Sequence, residues 1–541
     1  MHPGPDVSTG TQKPRLRPRS VLFILLSVAG IVGLTFAFRL DGSTDSTSRT
    51  SPRAPSTART PVTDTTVKAL CSQCHTYPDP SILPRSEWRT RIGQMATFKG
   101  YGSKIRGIVN TEEVVRWYEA RAPETLTRPA LDDQVTTRRP AFRVKHMGTV
   151  AKTADPVVVS NVQVVNLLGD GREGLKEILT CDMANGLILL GHTTPNWTDE
   201  MDVLARVGHP ARCHVVDLDG DGLRDLLVAD LGSFGAIDHN LGKVTWLRQG
   251  PGRIFHAIDL ATDLPRVADV RPADFDSDGD LDLIVGAFGW RTTGKLVVLE
   301  RSDRPGLPSS QSYIPHQIDQ RHGTVHVAPM DLNNDGHLDF VSLIAQEHES
   351  VVAFMGSGDL RFKARTLFQA PHPCWGSSGM QLIDLDGDGD TDVLMTNGDT
   401  MDDALLKPDH GIRWLENTGD SSPFVPHQLA RLYGVHRAEA ADIDNDGDLD
   451  VIACGFVGEL KGTSRSELLT SLKVPSLIWI EQTSAGTFTP HTLESHLCNH
   501  PTLSLGDVDD DGDIDIAVGN NTSSASTSPV DIWINSTGDS K

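Results

Sequence analysis

Residues 442–456 read DIDNDGDLDVIACGF. Aspartates stand at the first, third, fifth and ninth places, glycine at the sixth, and an apolar run follows at once. Alternate side chains in a tight turn converge on one point, and glycine permits the turn, so the phrase opens like a calcium loop of the EF-hand kind. It departs from an EF-hand in two respects. The ninth residue leads into a β-forming run instead of an amphipathic helix, and the twelfth place holds Ala453, not glutamate. The expectation is therefore a strand, a calcium loop and a second strand. A bound cation neutralises carboxylates that otherwise repel one another; a solvated acidic turn is the plainer alternative.

The phrase recurs. Copies begin at Asp217, Asp274, Asp331, Asp384, Asp442 and Asp507, and a degenerate one (NLLGDGREGLKEILTCD) begins at Asn166, at steps of 51 to 65 residues. Such a period marks repeat architecture. The expected calcium ligands are Asp217, Asp219, Asp221 and Asp225, then Asp274, Asp276, Asp278 and Asp282. Asp331, Asn333, Asp335 and Asp339 follow, then Asp384, Asp386, Asp388 and Asp392. The last two sets are Asp442, Asp444, Asp446 and Asp450, and Asp507, Asp509, Asp511 and Asp515. The degenerate copy carries Leu168 and Gly174 at ligand places, which predicts loss of the ion there.

Each loop is followed by a second strand (LLVAD, LIVGAF, VLMTN), a third (GKVTWLRQ, GKLVVLER, GIRWLENTG, SLIWIEQT) and a fourth (FHAIDL, PHQIDQ, PHQLARL, PHTLES). Four short strands per unit predict four-stranded blades, and seven units predict a closed ring. The final unit ends at DIWINSTG with three strands, while FRVKHMGTV at 142–150 matches the fourth-strand type. The start of the repeat region is thus expected to complete the last blade and leave no open edge. The DxDxDGxxD units resemble FG-GAP or VCBS repeats, as in integrin-like seven-bladed propellers, over about residues 140–541. The resemblance implies a mainly β, calcium-bearing propeller. It leaves activity open, since such propellers occur in adhesion proteins, polysaccharide-active enzymes and other exported proteins.

The rest of the 541-residue chain is built differently. A net charge of −23 argues against a nucleic-acid partner, because phosphate is repelled. KPRLRPR closes a basic segment, 1–19, and SVLFILLSVAGIVGLTFAF at 20–38 is uncharged and long enough to cross a bilayer as a helix. The basic flank predicts a cytoplasmic N-terminus with the bulk exported, periplasmic or extracellular. A signal anchor retained in the inner membrane is the first reading, and secretion after cleavage of a signal peptide the alternative. Residues 39–65 are rich in Ser, Thr and Pro and read as a flexible tether.

The tether meets VKALCSQCHTYPDP, in which Cys71, Cys74 and His75 form C-x-x-C-H, the attachment signal for haem c. Two thiols one helical turn apart can join the two haem vinyl groups, and the adjacent imidazole reaches the iron. A zinc half-site needs two more nearby ligands, which this segment lacks. Helices are expected through TTVKALC, through SEWRTRIGQMA with Trp88, Ile92 and Met95 on one stripe, and through TEEVVRWYEARAP. The last is expected to start at Thr111 and to be closed by Pro123. Residues 66–124 resemble small monohaem c-type cytochrome domains in the order Cys71, Cys74, His75, Pro78, Pro80, Trp88, Met95, Tyr118. That resemblance implies Met95 as the second axial ligand, with helix core as the alternative. Residues 125–139 read as a linker to the propeller, 140–541.

Positions five to eight residues before each loop give His209, Arg212, Arg266, His326, Ser378, His436, Arg437, Asn499 and His500. Gathered at one mouth of the ring, they suit an anionic ligand, a carbohydrate or a metal; alternatively they fill a polar channel. Cys181, Cys213, Cys374, Cys454 and Cys498 are odd in number and read as buried thiols. Three functions follow, in this order. The first is haem electron transfer with a redox partner protein or a quinone-linked donor. The second is an oxidoreductase acting on a sugar or alcohol with the haem as acceptor, and the third a calcium-dependent adhesion or scaffold protein. No nucleotide fingerprint or base–nucleophile set marks an enzyme.

Overall fold

The computed structural model describes residues 62–97, 110–129, 131, 142–149, 155–168, 176–193, 197–302, 308–419, 423–522 and 528–536, all in one compact unit. The basic segment, the apolar span 20–38 and the tether up to residue 61 lie outside the described residues. Among those described, no helix is long and apolar enough to cross a membrane.

Each aspartate loop joins the innermost strand of a four-stranded antiparallel sheet to its second strand. Blade 2 shows the order: Pro210–Val216, Asp225–Asp230, Gly242–Gly250 and Ile254–Leu264, each paired with the next. The inner strands of blades 3 to 6 are Val267–Ala273, Thr324–Met330, Ser377–Ile383 and Val435–Ala441. Blade 1 opens at Val159–Val165 and blade 7 at Thr502–Gly506. As expected, Phe142–Thr149 is the fourth strand of blade 7, antiparallel to Val530–Asn535 with Val144 opposite Trp533. Its tip also pairs in parallel with blade 1, Gly148 against Glu200, so blades 7 and 1 join into one eight-stranded sheet.

The core is a set of seams between blades. Each second strand is wholly buried because a neighbouring blade covers either face, which is why it reads as an unbroken apolar run. Every neighbouring pair of blades has its own apolar cluster. The closing seam sets Val508, Ala517 and Ile532 of blade 7 against Val159, Ile178 and Leu189 of blade 1, with Met147 among them. The fourth-strand histidines the sequence repeats have a purpose in the outer part of each blade. His427 and His491 bond Glu416 and Glu481 at 2.7 and 2.8 Å and stack on Trp414 and Trp479 of the third strands.

Among the described residues, three α-helices precede the ring: α1 (Asp64–Cys71), α2 (Arg85–Thr97) and α3 (Thr111–Glu119). Thr63 and Thr66 close a capping box at the start of α1. Helix α3 is capped by Asn110, whose side chain accepts from the Glu112 N–H, and it ends at Glu119, four residues short of Pro123. The buried stripe of α2 is Trp88, Ile92 and Ala96; Met95 is only half-buried, because a four-residue step keeps to one face better than three. Trp88 stacks on Tyr118 at 4.1 Å, its indole N–H donates to Pro80 O, and the Tyr118 hydroxyl donates to Pro78 O. Cys374 and Leu405 of blade 5 pack against this helical core, Arg91 donates to Asp402 O at 3.0 Å, and Lys461 pairs with Glu87 at 2.7 Å. A fourth helix, α4 (Arg465–Ser471), interrupts blade 6 and buries Leu469 against Leu406, Tyr433 and Val457.

The closing strand makes a direct prediction. Met147→Ala empties a fully buried site and should cost about 2–5 kcal/mol, read as a lower denaturation midpoint with an unchanged slope.

Candidate functional site

Six loops share one hydrogen-bond plan. The first carboxylate accepts from backbone N–H groups within the turn, as Asp217 does from Gly220, Asp221 and Gly222 at 2.9–3.2 Å. The sixth residue has φ between 85° and 100° with open space beside it, so conformation and not crowding requires glycine. The fourth place is also left-handed and is filled by Gly220, Ser277, Asn334, Gly387, Asn445 and Asp510, mostly types that tolerate it.

The ninth carboxylate turns inward. In Asp225, Asp282, Asp339, Asp392, Asp450 and Asp515 one oxygen accepts from the N–H of the loop's second residue at 2.8–3.3 Å. The other accepts from an N–H at the end of the third strand at 2.7–2.8 Å. Glu177 takes this part in blade 1, accepting from Leu167 N at 2.8 Å, a role the sequence reading did not assign. Its signal was a carboxylate displaced by three places from the expected one. Burial pushes these acids up, Asp282 and Asp392 to about 6 and Asp450 and Asp515 to about 7.

The donor set suits a hard cation. Carboxylate oxygens of Asp217, Asp219 and Asp225 lie within 4.8 Å of one another, as do those of Asp274, Asp276 and Asp282, and of Asp384, Asp386 and Asp392. Asp442, Asp444 and Asp446 form a like group. At the third place, Oδ1 of Asp219, Asp276 and Asp509 is buried without a hydrogen-bond partner. Such an oxygen is costly unless something positive meets it. In the first loop Arg248 contacts Asp219 and Asp221 at 2.6 and 2.8 Å, so a cation there competes with a guanidinium.

The expected mouth residues separate into two groups. Arg212, His326 and Arg437 lie on inner strands and face the central channel, with Arg212 Nη2 donating to His326 Nε2 at 3.4 Å. The others are tied into their own surroundings. His209 bonds Met183 O, Ser378 donates to Val435 O, and His500 bridges Asn520 and Glu494. Arg266 lies over Phe288, the half-buried His436 meets Phe456 edge to face, and Asn499 pairs its backbone with Phe456. They do not form one mouth, because only alternate residues of an inner strand point at the axis.

That alternation also supplies what was missed. Residues three places before the loops, including Gln163, His214, Arg271 and Glu439, form a second layer in the channel. With Arg212 and Arg437 they line a cavity of about 220 Å³. Asp269 faces Arg271 at 3.4 Å, His326 at 3.6 Å and Arg212 at 3.7 Å, and Arg437 pairs with Glu439 at 2.8 Å. Burial pushes the Asp269 carboxyl up, but Arg271 and Arg212 outweigh it and hold it well below the usual range. Three guanidinium groups thus meet two carboxylates, which leaves the channel cationic inside an acidic protein.

In the helical segment, Cys71 ends α1 and Cys74 and His75 follow, all half-buried. His75 Nδ1 lies 2.8 Å from Thr76 O. A carbonyl only accepts, so Nδ1 is the donor in this contact, which leaves Nε2 as the ring nitrogen that could meet a metal. The five propeller cysteines are free thiols; Cys181 and Cys213 sit with sulfurs 3.4 Å apart. Burial pushes Cys374 up to about 12 and Cys498 to about 11, so neither is a nucleophile at neutral pH.

The fold and its loops define a β-propeller-like protein with FG-GAP-like repeats. The FG-GAP-like repeat family matches residues 217–285, 331–395 and 396–453. No curated protein matches the chain. Among solved structures, the N-terminal domain of Nup159 is similar at 12% identity and a TM-score of 0.40, over 75% of this chain and 98% of that one.

The channel histidines carry a pH signature. Burial, reinforced by the neighbouring guanidinium, lowers His326 and His214 to about 3, against about 6.5 in an unfolded chain. The unfolded state then binds more protons below about pH 6.5, so stability present above that pH is lost as pH falls towards 4. His326→Gln should flatten this decline in urea denaturation series between pH 7 and 4.5.

Proposed function

We propose that the chain is an exported, membrane-anchored electron-transfer protein, with haem c on the helical segment and a calcium-stabilised propeller that binds a partner. The observation that carries the reading is the C-x-x-C-H at the end of α1, whose histidine turns Nδ1 to the Thr76 carbonyl. Cys71 and Cys74 would hold the porphyrin and His75 one axial place, with Met95, half-buried on α2, proposed for the other. Haem, when bound, supplies a one-electron couple. The chain's own part is to hold the group near blade 5, where Cys374 and Leu405 meet the helical core. The apolar span and its basic flank support an inner-membrane anchor with the bulk exported. The cationic channel supports an anionic ligand or an anionic group on a redox partner.

Calcium in the six intact loops is part of the same proposal, supported by the orphaned third-place oxygens. Chelation with EGTA should lower the melting temperature and added calcium restore it; an unchanged melt excludes a structural role for the ion. For the haem, the full chain made with cytochrome maturation machinery should show a Soret band that survives denaturation, and Cys71→Ala with Cys74→Ala should abolish it. A wild-type chain with no such band removes the electron-transfer reading. The FG-GAP-like repeats favour what then remains, a propeller serving as a binding scaffold.

A further inference from the structure

A cluster of metal-ligating side chains lies on the propeller face opposite the aspartate loops. Those loops join first to second strands, so connections from second to third and from fourth to first leave at the other end. His322 lies between Tyr313–Asp319 of blade 3 and the inner strand of blade 4. Glu347 and His348 lie in the turn between Asp339–Ile344 and Ser350–Gly356 of blade 4. One ligand atom of each falls within 4.8 Å of the other two. His322 Nε2 stands 2.8 Å from Glu347 Oε2, and the two imidazoles meet edge to face with centroids 5.2 Å apart.

The backbone around them is held. Gln346 and Glu349 flank the pair with φ of 58° and 38°, in the left-handed region that side chains with a Cβ disfavour. Such strain persists where the surroundings over-determine it, and here they do. The buried Glu349 carboxylate accepts from Gly376 N and Ser377 N at 2.8 and 3.0 Å, and Gln346 donates to Asp402 at 3.3 Å. Behind His322, a Cβ on Gly294 would fall 2.3 Å from the histidine's own and 2.4 Å from its Cα, so glycine lets the two backbones approach. The adjacent cation, Arg321, is paired with Asp319 at 2.7 Å and adds little net repulsion.

We propose that His322, Glu347 and His348 are the three protein ligands of a divalent transition-metal site, for which zinc is the best-suited ion. Two imidazoles and one carboxylate are the nitrogen and oxygen donors zinc takes in four-coordinate sites, whereas calcium takes six to eight oxygens. Three protein ligands leave a fourth position for water or a small exchangeable anion. The Glu347 side chain is 25% exposed, so that position opens to solvent. The site shares its face with the helical segment through Asp402, whose carboxylate meets Gln346 and whose carbonyl meets Arg91. It is independent of whether haem is carried.

The test titrates tag-free, chelator-washed full chain with zinc in a large excess of calcium. The expected result is one zinc per chain that calcium does not displace. His322→Ala and His348→Ala should each weaken it at least about tenfold, the scale on which even outer-shell partners of zinc ligands act. His316→Ala, which removes an imidazole facing only Glu300 in this ion-pair geometry, should change nothing. Zinc displaced by calcium, or bound equally well by both histidine variants, overturns the proposal. Should the buried His322 variant not fold, His348→Asn at a less buried position and the zinc-edge X-ray absorption of the unaltered chain decide. Two imidazoles in the shell support the site, and an all-oxygen or sulfur shell refutes it.

Discussion

The structure depends on a buried carboxylate repeated once per blade. The ninth-place aspartate accepts from the loop that precedes it and from the far end of the third strand. One side chain thus fixes the turn, the sheet edge and the direction in which the other loop oxygens point. A neutral side chain of the same shape could not accept at both sites with charge-assisted strength. The arrangement has a cost, since burial opposes ionisation and several acids sit within a few ångströms of one another. The cation proposed for the six intact loops would offset both terms.

Ring closure follows from the same units. Each blade buries both faces of its second strand, so a blade alone leaves an apolar face exposed and the row of blades is satisfied only by meeting itself. The strand Phe142–Thr149 supplies the last edge, and the closing seam is as apolar as any other. Where the inner strands converge, polar and charged side chains line the cavity. The channel therefore holds groups that set one another's charge: Arg271 and Arg212 hold the Asp269 carboxyl low against its burial, and burial, reinforced by Arg212, holds His326 low.

The two faces of the ring carry different chemistry. One presents aspartate loops made from consecutive residues. The other presents connections from separate blades, and there the helical segment docks and His322 comes to Glu347 and His348. The tryptophan–tyrosine stack and its bonds to Pro78 and Pro80 make the helical segment a small core of its own beside the propeller.

The repeated blades, the tight acidic loops and the completion of the last blade from residues 142–149 were determined by the sequence alone, because each rests on spacing between near neighbours or on the period of a repeat. The C-x-x-C-H was equally plain. What only the tertiary structure decided is which residues of different blades meet. The layer of Arg271, His214 and Glu439 depends on which way alternate residues face, and a fixed window before each loop could not resolve that. Glu177 could be recognised as a substitute for aspartate only by the bond it makes. His322 and Glu347 lie 25 residues apart in two separate connections, and their 2.8 Å contact exists because the first two strands of blade 4 pair with Thr324 opposite Ile344.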